Sequence, residues 1–207
     1  MKLVDLTIKD YLNLLKSDAP APGGGSASAL VGAQGCALFM MVANLTLQKK
    51  EKYPDAVQVC ENAVTDGEKC YQKLVEQIDK DTEAFTLISS AYKMPKDTDE
   101  QKAKRSKAIQ EGTLVATEVP FQTMKYAMDG MKIAKTMINN SNPNAASDLV
   151  ISLMQLNQGI IGAWDNVLIN LGSTKDESVV AKYTKEGMKI LEDAQKICDE
   201  NIKLIEI

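Results

Sequence analysis

The chain has 207 residues, of which 44% are hydrophobic, so a single domain can bury a sizeable core without disulfides or metals. Its 24 basic and 28 acidic residues give a net charge of −4, which argues against general binding of nucleic acid. Histidine is absent, which excludes imidazole as a general base or metal ligand and with it the usual serine and cysteine hydrolase arrangements. Any chemistry must come from carboxylates, amides, hydroxyls, thiols, lysines or the backbone.

The hydrophobic periodicity is helical nearly everywhere, which predicts an all-α fold: one domain over residues 1–207, built as a single bundle of six to seven helices. In chain order, the first three predicted helices are a short one capped by Thr7, one from Ser26 to about Lys50 and one from Pro54 to about Tyr92. A Thr98/Gln101 capping box opens a helix that continues to about Glu118, and Pro120 marks either a kink or the restart of the next helix. The last two run from about Asn144 to Leu171 and from about Asp176 to the C-terminus.

The segment from Ala19 to Gln48 contains no charged residue, which raises the question of a membrane span. It is rich in glycine and alanine rather than leucine and isoleucine, and this composition favours a buried central helix. The four cysteines lack C-x-x-C spacing and are predicted to be reduced core residues. Together with the lack of a recognisable signal segment, they predict a cytoplasmic protein that binds no membrane.

The glycine-rich turn at Pro22–Ser26 opens the second helix. Glycine lets the backbone approach a ligand closely, and the free N–H groups at a helix N-terminus attract an anion. An anion site and a tight turn without a ligand are about equally consistent with these residues.

Asp81 shares a helix face with the apolar residues Ile78 and Phe85. A buried carboxylate must be paired, hydrogen-bonded or kept for function, and burial raises its pKa toward the range useful for proton transfer. The alternative is a structural ion pair across the bundle. Asp79 and Glu83 lie off this face and are predicted to be surface charges.

Ser147 and Asp148 occupy the first turn of a later predicted helix, where spacing alone favours ordinary capping over catalysis. The same helix carries a stripe of small and amide side chains: Ser152, Gln155, Gly159, Gly162, Asn166 and Asn170. Such a face admits a partner helix or a flat heterocyclic ligand.

These segments, taken together, resemble the cyclodeaminase/cyclohydrolase family of folate one-carbon enzymes, which includes the cyclodeaminase domain of formiminotransferase-cyclodeaminase and stand-alone bacterial methenyltetrahydrofolate cyclohydrolases. The resemblance extends over nearly the whole chain. The first part of the resemblance is residues 19–26, which run into a helix that ends at Met41–Thr46. The remaining parts, in chain order, are Asp81-x-x-Ala84-Phe85, Met94-Pro95-Lys96, Arg105, Glu118-Val119-Pro120, Asn142 through Asp148, Asn166 and Asn170.

The resemblance implies an all-helical homodimer that binds folate near its subunit interface, without a metal or a further cofactor. The implied activity is methenyltetrahydrofolate cyclohydrolase, which adds water to 5,10-methenyltetrahydrofolate and yields 10-formyltetrahydrofolate. A chain of 207 residues leaves no room for a fused formiminotransferase, which favours this reaction over the runner-up, the cyclodeaminase reaction that releases ammonia. A third hypothesis is a non-catalytic helical module whose glycine-rich face binds a partner.

The resemblance also implies roles for particular residues. Asp81 and Asp148 are the expected catalytic carboxylates. The expected substrate-binding residues are Gly23, Gly24, Gly25 and Ser26 in the turn, Asn44 near the end of the following helix, Asn166 and Asn170 beside the pterin or water, and Lys49, Lys50 or Arg105 at the glutamate tail. For the lysine cluster, a solvated helix end is the alternative.

Overall fold

A computed structural model describes residues 2–202 of the chain. The described residues form six α-helices, three short 3₁₀ helices and no strand, which confirms the predicted all-helical bundle. The α-helices are α1 (Ile8–Leu15), α2 (Gly24–Leu47), α3 (Val57–Tyr92), α4 (Asp99–Thr136), α5 (Ala146–Leu171) and α6 (Glu177–Ile202), and the 3₁₀ helices are Leu3–Asp5, Pro54–Ala56 and Pro143–Ala145.

Both predicted side-chain caps are present. Thr7 accepts a hydrogen bond from the Asp10 backbone N–H at the start of α1. At the start of α4, Thr98 and Gln101 form a reciprocal capping box, which satisfies two backbone donors that the helix itself leaves free.

Helices α2 to α5 form an antiparallel four-helix ring in which α2 contacts α3 and α5, and α4 contacts the same two helices. Helix α6 packs outside this ring against α5 and α4. Helices α3 and α4 have 36 and 38 residues, whereas α2 and α5 have 24 and 26. The end of α3 and the start of α4 therefore project past α2 and α5 by roughly 15 Å, at 1.5 Å per residue.

The small-residue stripe of α5 packs against α2 of the same chain. A Cβ atom added at Gly159 would lie 3.0 Å from the Ser28 carbonyl oxygen, and one added at Gly35 would lie 3.0 Å from the Ser152 carbonyl oxygen. The Ser152 hydroxyl also donates a hydrogen bond of 2.8 Å to the Gly35 carbonyl. Between Ser152 and Gly162, the occupant of the stripe is therefore a helix, and that helix belongs to the same chain. The glycine face is thus covered, which removes the feature on which the interaction-module hypothesis depended.

Helix α4 continues through Pro120, so the predicted helix end near Glu118 is wrong, and of the two alternatives at Pro120 the restart is excluded. Proline has no N–H to donate to the carbonyl four residues earlier, here that of Ala116. The side-chain amide of Asn170 supplies the missing donor at 2.7 Å. The tertiary contact replaces the lost helix bond, and the helix does not need to restart.

Helix α2 is long and apolar enough to cross a membrane, with a mean hydropathy of 1.6, but half of the apolar window is buried in the bundle. This agrees with the predicted central core helix. The four cysteines are free and buried, as predicted. Burial raises the pKa of the Cys36 thiol, so that thiol is held in its unreactive protonated form.

The close approach of α2 and α5 predicts that Gly159→Ala destabilises the fold. The added methyl group would press on the backbone of Ser28 and Gly32, which cannot rotate away, at a cost of about 1–3 kcal/mol. Gly172→Ala is the control, because the nearest atom to its Cβ would be 3.5 Å away. Urea unfolding of both variants checks this, and equal midpoints would contradict the tight α2–α5 contact.

Candidate active site

A pocket of about 360 Å³ lies where the N-terminus of α2 and the C-terminal half of α5 meet the projecting parts of α3 and α4. It is lined by Pro20, Ala21, Gly23, Gly24, Asp81, Phe85, Ile88, Tyr92, Thr113, Ala116, Asn166, Ile169, Asn170 and Ser173. The pocket therefore brings together five expected site residues from three separate parts of the sequence.

Asp81 reaches from α3 to the first turn of α2. The Ser26 backbone N–H donates a hydrogen bond of 3.0 Å to one Asp81 oxygen, and the Ser26 hydroxyl lies 3.3 Å from the same oxygen. That hydroxyl also donates to the Ile78 carbonyl at 2.7 Å. The anion at this helix N-terminus is thus the carboxylate of Asp81 itself.

Gly25 is needed for this contact. A Cβ atom at this position would lie 1.9 Å from an Asp81 carboxylate oxygen, so any larger residue would displace the acid. Gly25 and Ser26 are buried behind the pocket, whereas Gly23 and Gly24 line it. The glycine-rich turn serves first to seat a carboxylate of the chain, and the pocket lies in front of that carboxylate.

Burial raises the pKa of Asp81 above its ordinary value, and the two hydrogen bonds from Ser26 offset this only in part. No lysine or arginine of the described chain lies within salt-bridge distance of Asp81, so the structural ion pair considered from the sequence is not formed. A desolvated carboxylate with no cation beside it is suited to bind a cationic ligand or to exchange a proton.

The side-chain amides of Asn166 and Asn170 donate hydrogen bonds to backbone carbonyls. Asn166 donates to the Gly162 carbonyl at 2.8 Å, and Asn170 donates to the carbonyls of Ala116 and Asn166. Asn170 thus uses both of its amide hydrogens, whereas Asn166 keeps one N–H free, and each side chain also retains its acceptor oxygen. Beside the Asp81 carboxylate, the two amides can therefore offer both acceptors and a donor to a ligand.

The apolar wall of the pocket comes from the projecting end of α3. Phe85 shares the apolar face of α3 with Ile78, yet Phe85 and Tyr92 are 40% and 51% exposed and line the pocket with Ile88. These side chains are uncovered because α3 extends beyond the start of α2, so that no helix packs on its apolar face there. Their sharing of a helix face with Asp81 was the available signal that they belong to a site.

Behind Asp81, the Tyr11 side chain of α1 is buried in a small apolar cluster with Ala29 and Ile78. Its hydroxyl has no hydrogen-bond partner among the described residues, and burial together with the Asp81 charge raises the pKa of Tyr11. Asp79, predicted to be a surface charge, is instead half-buried and accepts a hydrogen bond from the Leu3 N–H at 2.5 Å. The N-terminal segment therefore closes the back of the site.

The other expected residues lie elsewhere. Asn44, Lys49 and Lys50 are exposed at the far end of α2, and Asp148 is half-buried in the first turn of α5. Because 18 residues of α5 separate Asp148 from Asn166, the two lie about 27 Å apart along the helix. One copy of the chain does not bring Asp148 to the pocket.

The loop before α5 is fixed at this far end of the bundle. The Asn142 N–H donates to the Thr46 hydroxyl at 2.9 Å, and the Tyr53 hydroxyl donates to the Asn142 side chain at 3.0 Å. Arg105 lies neither in the pocket nor at this far end of the bundle. It stacks on Tyr92 at the tip of the α3–α4 projection and lines a second, neighbouring groove.

Comparison with known proteins gives a consistent result. The family model described as formiminotransferase-cyclodeaminase matches residues 7–189. The methenyltetrahydrofolate cyclohydrolase of Methylorubrum extorquens is 35% identical over 188 residues, covering 91% of this chain and 90% of that protein. The formimidoyltransferase-cyclodeaminase of Dictyostelium discoideum is 33% identical over 203 residues, covering 98% of this chain but only 37% of that protein. The crystal structure of formiminotetrahydrofolate cyclodeaminase from Thermotoga maritima matches with a TM-score of 0.79 at 28% identity, covering 97% of this chain and 94% of that chain.

The environment of Asp81 predicts that Asp81→Asn stabilises the fold at neutral pH. The pKa of Asp81 is raised above 3.8 in the folded chain, so ionisation destabilises the fold as pH rises through and beyond that value. The neutral amide lacks this penalty, and its oxygen can still accept the Ser26 N–H bond. Urea unfolding between about pH 4 and pH 8 should show the advantage of the variant growing with pH.

Asp79→Asn is the matched control, because it removes a neighbouring charge that does not line the pocket. If Asp81→Asn is less stable than the wild type throughout this range, the carboxylate is a net stabiliser and the argument fails.

Proposed function

The chain belongs to the formiminotransferase-cyclodeaminase family, and we propose that it is a methenyltetrahydrofolate cyclohydrolase. The reaction takes 5,10-methenyltetrahydrofolate and water to 10-formyltetrahydrofolate. Two findings support it: the cyclohydrolase relative matches over nearly the full length of both chains, and the pocket holds a half-buried carboxylate that has no cationic partner among the described residues. The Asp81 carboxylate is the group that could take part in the reaction.

The pocket is complementary to a cation. Methenyltetrahydrofolate bears a positive charge shared by N5, the bridging carbon and N10, and the pocket lining contains the Asp81 carboxylate but no lysine or arginine. In a desolvated site the attraction between Asp81 and this charge is stronger than in water. Bound substrate would therefore lower the pKa of Asp81 and favour the carboxylate needed for the next step.

The reaction balances with Asp81 as its proton carrier. Water forms a bond to the bridging carbon and gives one proton to the Asp81 carboxylate. The resulting tetrahedral carbon then breaks its bond to N5, which receives the proton back from Asp81. The hydroxyl proton leaves to solvent as the formyl group on N10 forms, so one proton is released per turnover.

The remaining side chains orient the substrate. Phe85, Ile88 and Tyr92 offer flat apolar contacts for the pterin and aminobenzoyl rings, and the acceptor oxygens of Asn166 and Asn170 suit the N–H groups of the pterin. We propose that no metal or further cofactor is needed, because the bridging carbon is already electrophilic. The free cysteines support a cytoplasmic location.

The cyclodeaminase reaction is the second candidate, because the solved Thermotoga maritima structure carries that name at a TM-score of 0.79. There N10 attacks the formimino carbon on N5 and ammonia leaves. The same carboxylate can move the proton that ammonia requires. Release of ammonia from formiminotetrahydrofolate, without hydration of the methenyl compound, would select this reaction.

We expect the purified chain to bleach the near-ultraviolet absorbance of methenyltetrahydrofolate, and Asp81→Asn to lower the rate constant kcat at least about 100-fold, the usual contribution of a positioned acid–base group. The acid limb of the wild-type kcat/KM profile should titrate above 3.8, because burial raises the pKa of Asp81. Asp79→Asn is the control and should stay within about threefold of wild type, since it leaves the pocket unchanged. Wild-type turnover by Asp81→Asn would remove Asp81 from the mechanism.

We further propose a homodimer in which each site takes residues from both copies. Helix α5 exposes Ile151, Met154 and Leu168 on one face, and Asp148 lies one turn before this row. We propose that the two-fold axis is perpendicular to α5, so that this face pairs with its copy and the two α5 helices run antiparallel. The Asp148 end of one copy would then lie near the Asn166 end of the other, which places both expected carboxylates at one site.

Complementation tests the shared site. Asp81→Asn and Asp148→Asn should each be nearly inactive alone, but co-expression should restore about a quarter of wild-type activity, since half of randomly formed dimers are mixed and each has one intact site. If Asp148→Asn is fully active, or if co-expression restores nothing, the shared site is refuted.

A further inference from the structure

Gln77 lies on α3 one helical turn before Asp81. The inward stripe of this helix runs through Cys70, Leu74, Gln77, Asp81 and Ala84, at alternating steps of four and three residues. Side chains four residues apart on one helix face are neighbours, so Gln77 and Asp81 stand next to each other. Asp81 lines the pocket, whereas Gln77 does not line it and is only 3% exposed.

Two glycines of α2 show the level at which Gln77 lies in the bundle. Gly25 faces Asp81, and a Cβ atom added at Gly32, two turns further along α2, would lie 3.4 Å from the Leu74 side chain. Gln77 therefore lies between the level of the pocket and the level of Leu74, which belongs to the main apolar core. A polar side chain is thus inserted where the bundle interior begins.

The side-chain carbonyl of Gln77 has no partner among the described residues. Its Oε1 atom is buried and accepts no hydrogen bond from them. Such a carbonyl costs free energy, and an apolar side chain of similar volume would fill the same space without that cost. On the neighbouring acid, both hydrogen bonds from Ser26 go to Oδ2 of Asp81, and Oδ1 accepts none from the described residues.

Two acceptors side by side cannot bond to each other until one of them carries a proton. We propose that Gln77 is a positioning residue for the reaction: its side-chain carbonyl accepts a hydrogen bond from Asp81 while Asp81 holds the proton taken from water. The proposal rests on the proposed function, in which Asp81 takes this proton and returns it to N5. Gln77 itself gains and loses no proton. Its hydrogen bond favours the acid between the two transfers, whereas the bonds from Ser26 favour the carboxylate before and after them.

Few other groups act on the charge of Asp81. Burial raises the pKa of Asp81, and the hydrogen bonds from Ser26 at the start of α2 oppose this. Tyr11 of α1 is the titratable group behind Asp81, and Tyr92 is the other titratable side chain in the described pocket lining, to which α2, α4 and α5 contribute no charged residue. A change at Gln77 should therefore be read directly in the titration of Asp81.

Gln77→Met removes the carbonyl and nearly keeps the volume of the side chain. Without an acceptor for its proton, Asp81 becomes a weaker base, so the acid limb of the kcat/KM profile should move down by roughly 0.5 to 1 on the pH scale, the effect of one hydrogen bond. At neutral pH we expect kcat to fall roughly two- to tenfold and KM to change by less than about twofold, because Gln77 does not touch the substrate.

Gln155→Met is the matched control. It makes the same change at a second buried carbonyl oxygen without a partner among the described residues, about three turns of α5 before Asn166. Its pH profile should stay at that of the wild type. An acid limb that Gln77→Met leaves in place, or that both variants move equally, would overturn the proposal.

Carbon-13 NMR of the unliganded chain, labelled at its aspartate carboxyl carbons, reads the pair without catalysis. The resonance of Asp81 is identified by its loss in Asp81→Asn, and its titration midpoint should be lower in Gln77→Met than in the wild type. A midpoint that stays, or that rises because the amide N–H had donated to the carboxylate, would also overturn the proposal. A lower midpoint in a chain that hydrates no methenyl compound would refute the proposed reaction and retain the contact between Gln77 and protonated Asp81.

Discussion

The contact between the Asp81 carboxylate and the first turn of α2 is the constraint on which the site depends. A helix N-terminus presents free N–H groups and positive potential, and here the occupant is an acid from α3. The contact is possible because Gly25 has no Cβ atom. A Cβ at this position would lie 1.9 Å from a carboxylate oxygen of Asp81. The hydrogen bonds from Ser26 favour the charged form of this half-buried acid, and no lysine or arginine of the described residues pairs with it.

The packing of the other helices determines which side chains surround Asp81 in the pocket. Close packing of α2 on α5, made possible by Gly35 and Gly159, brings Asn166 next to Gly24. Because Pro120 has no N–H, the Ala116 carbonyl is left to accept a hydrogen bond from the side-chain amide of Asn170. The proline therefore explains the orientation of a residue that lines the pocket. The projection of α3 and α4 then adds apolar rings on one side and cations beyond them.

This arrangement separates charge along a single path. The inner pocket is lined by Asp81 and by no lysine or arginine, whereas the neighbouring groove is lined by Lys96, Lys102, Arg105 and Lys175. The absence of histidine agrees with such a site, because a carboxylate alone can carry the proton when the carbon under attack is already activated.

The sequence by itself determined the helices, the caps at Thr7 and Thr98, the core placement of the cysteines and the choice of Asp81 as an unusual acid, because each follows from local spacing. It also supported the family resemblance. Only the tertiary structure decided that α4 runs through Pro120, that Phe85 lines a pocket, that the glycine stripe of α5 meets α2, and that Asp148 lies at the far end of α5 from Asn166. These depend on helix lengths and on the register between helices distant in sequence, which periodicity does not encode.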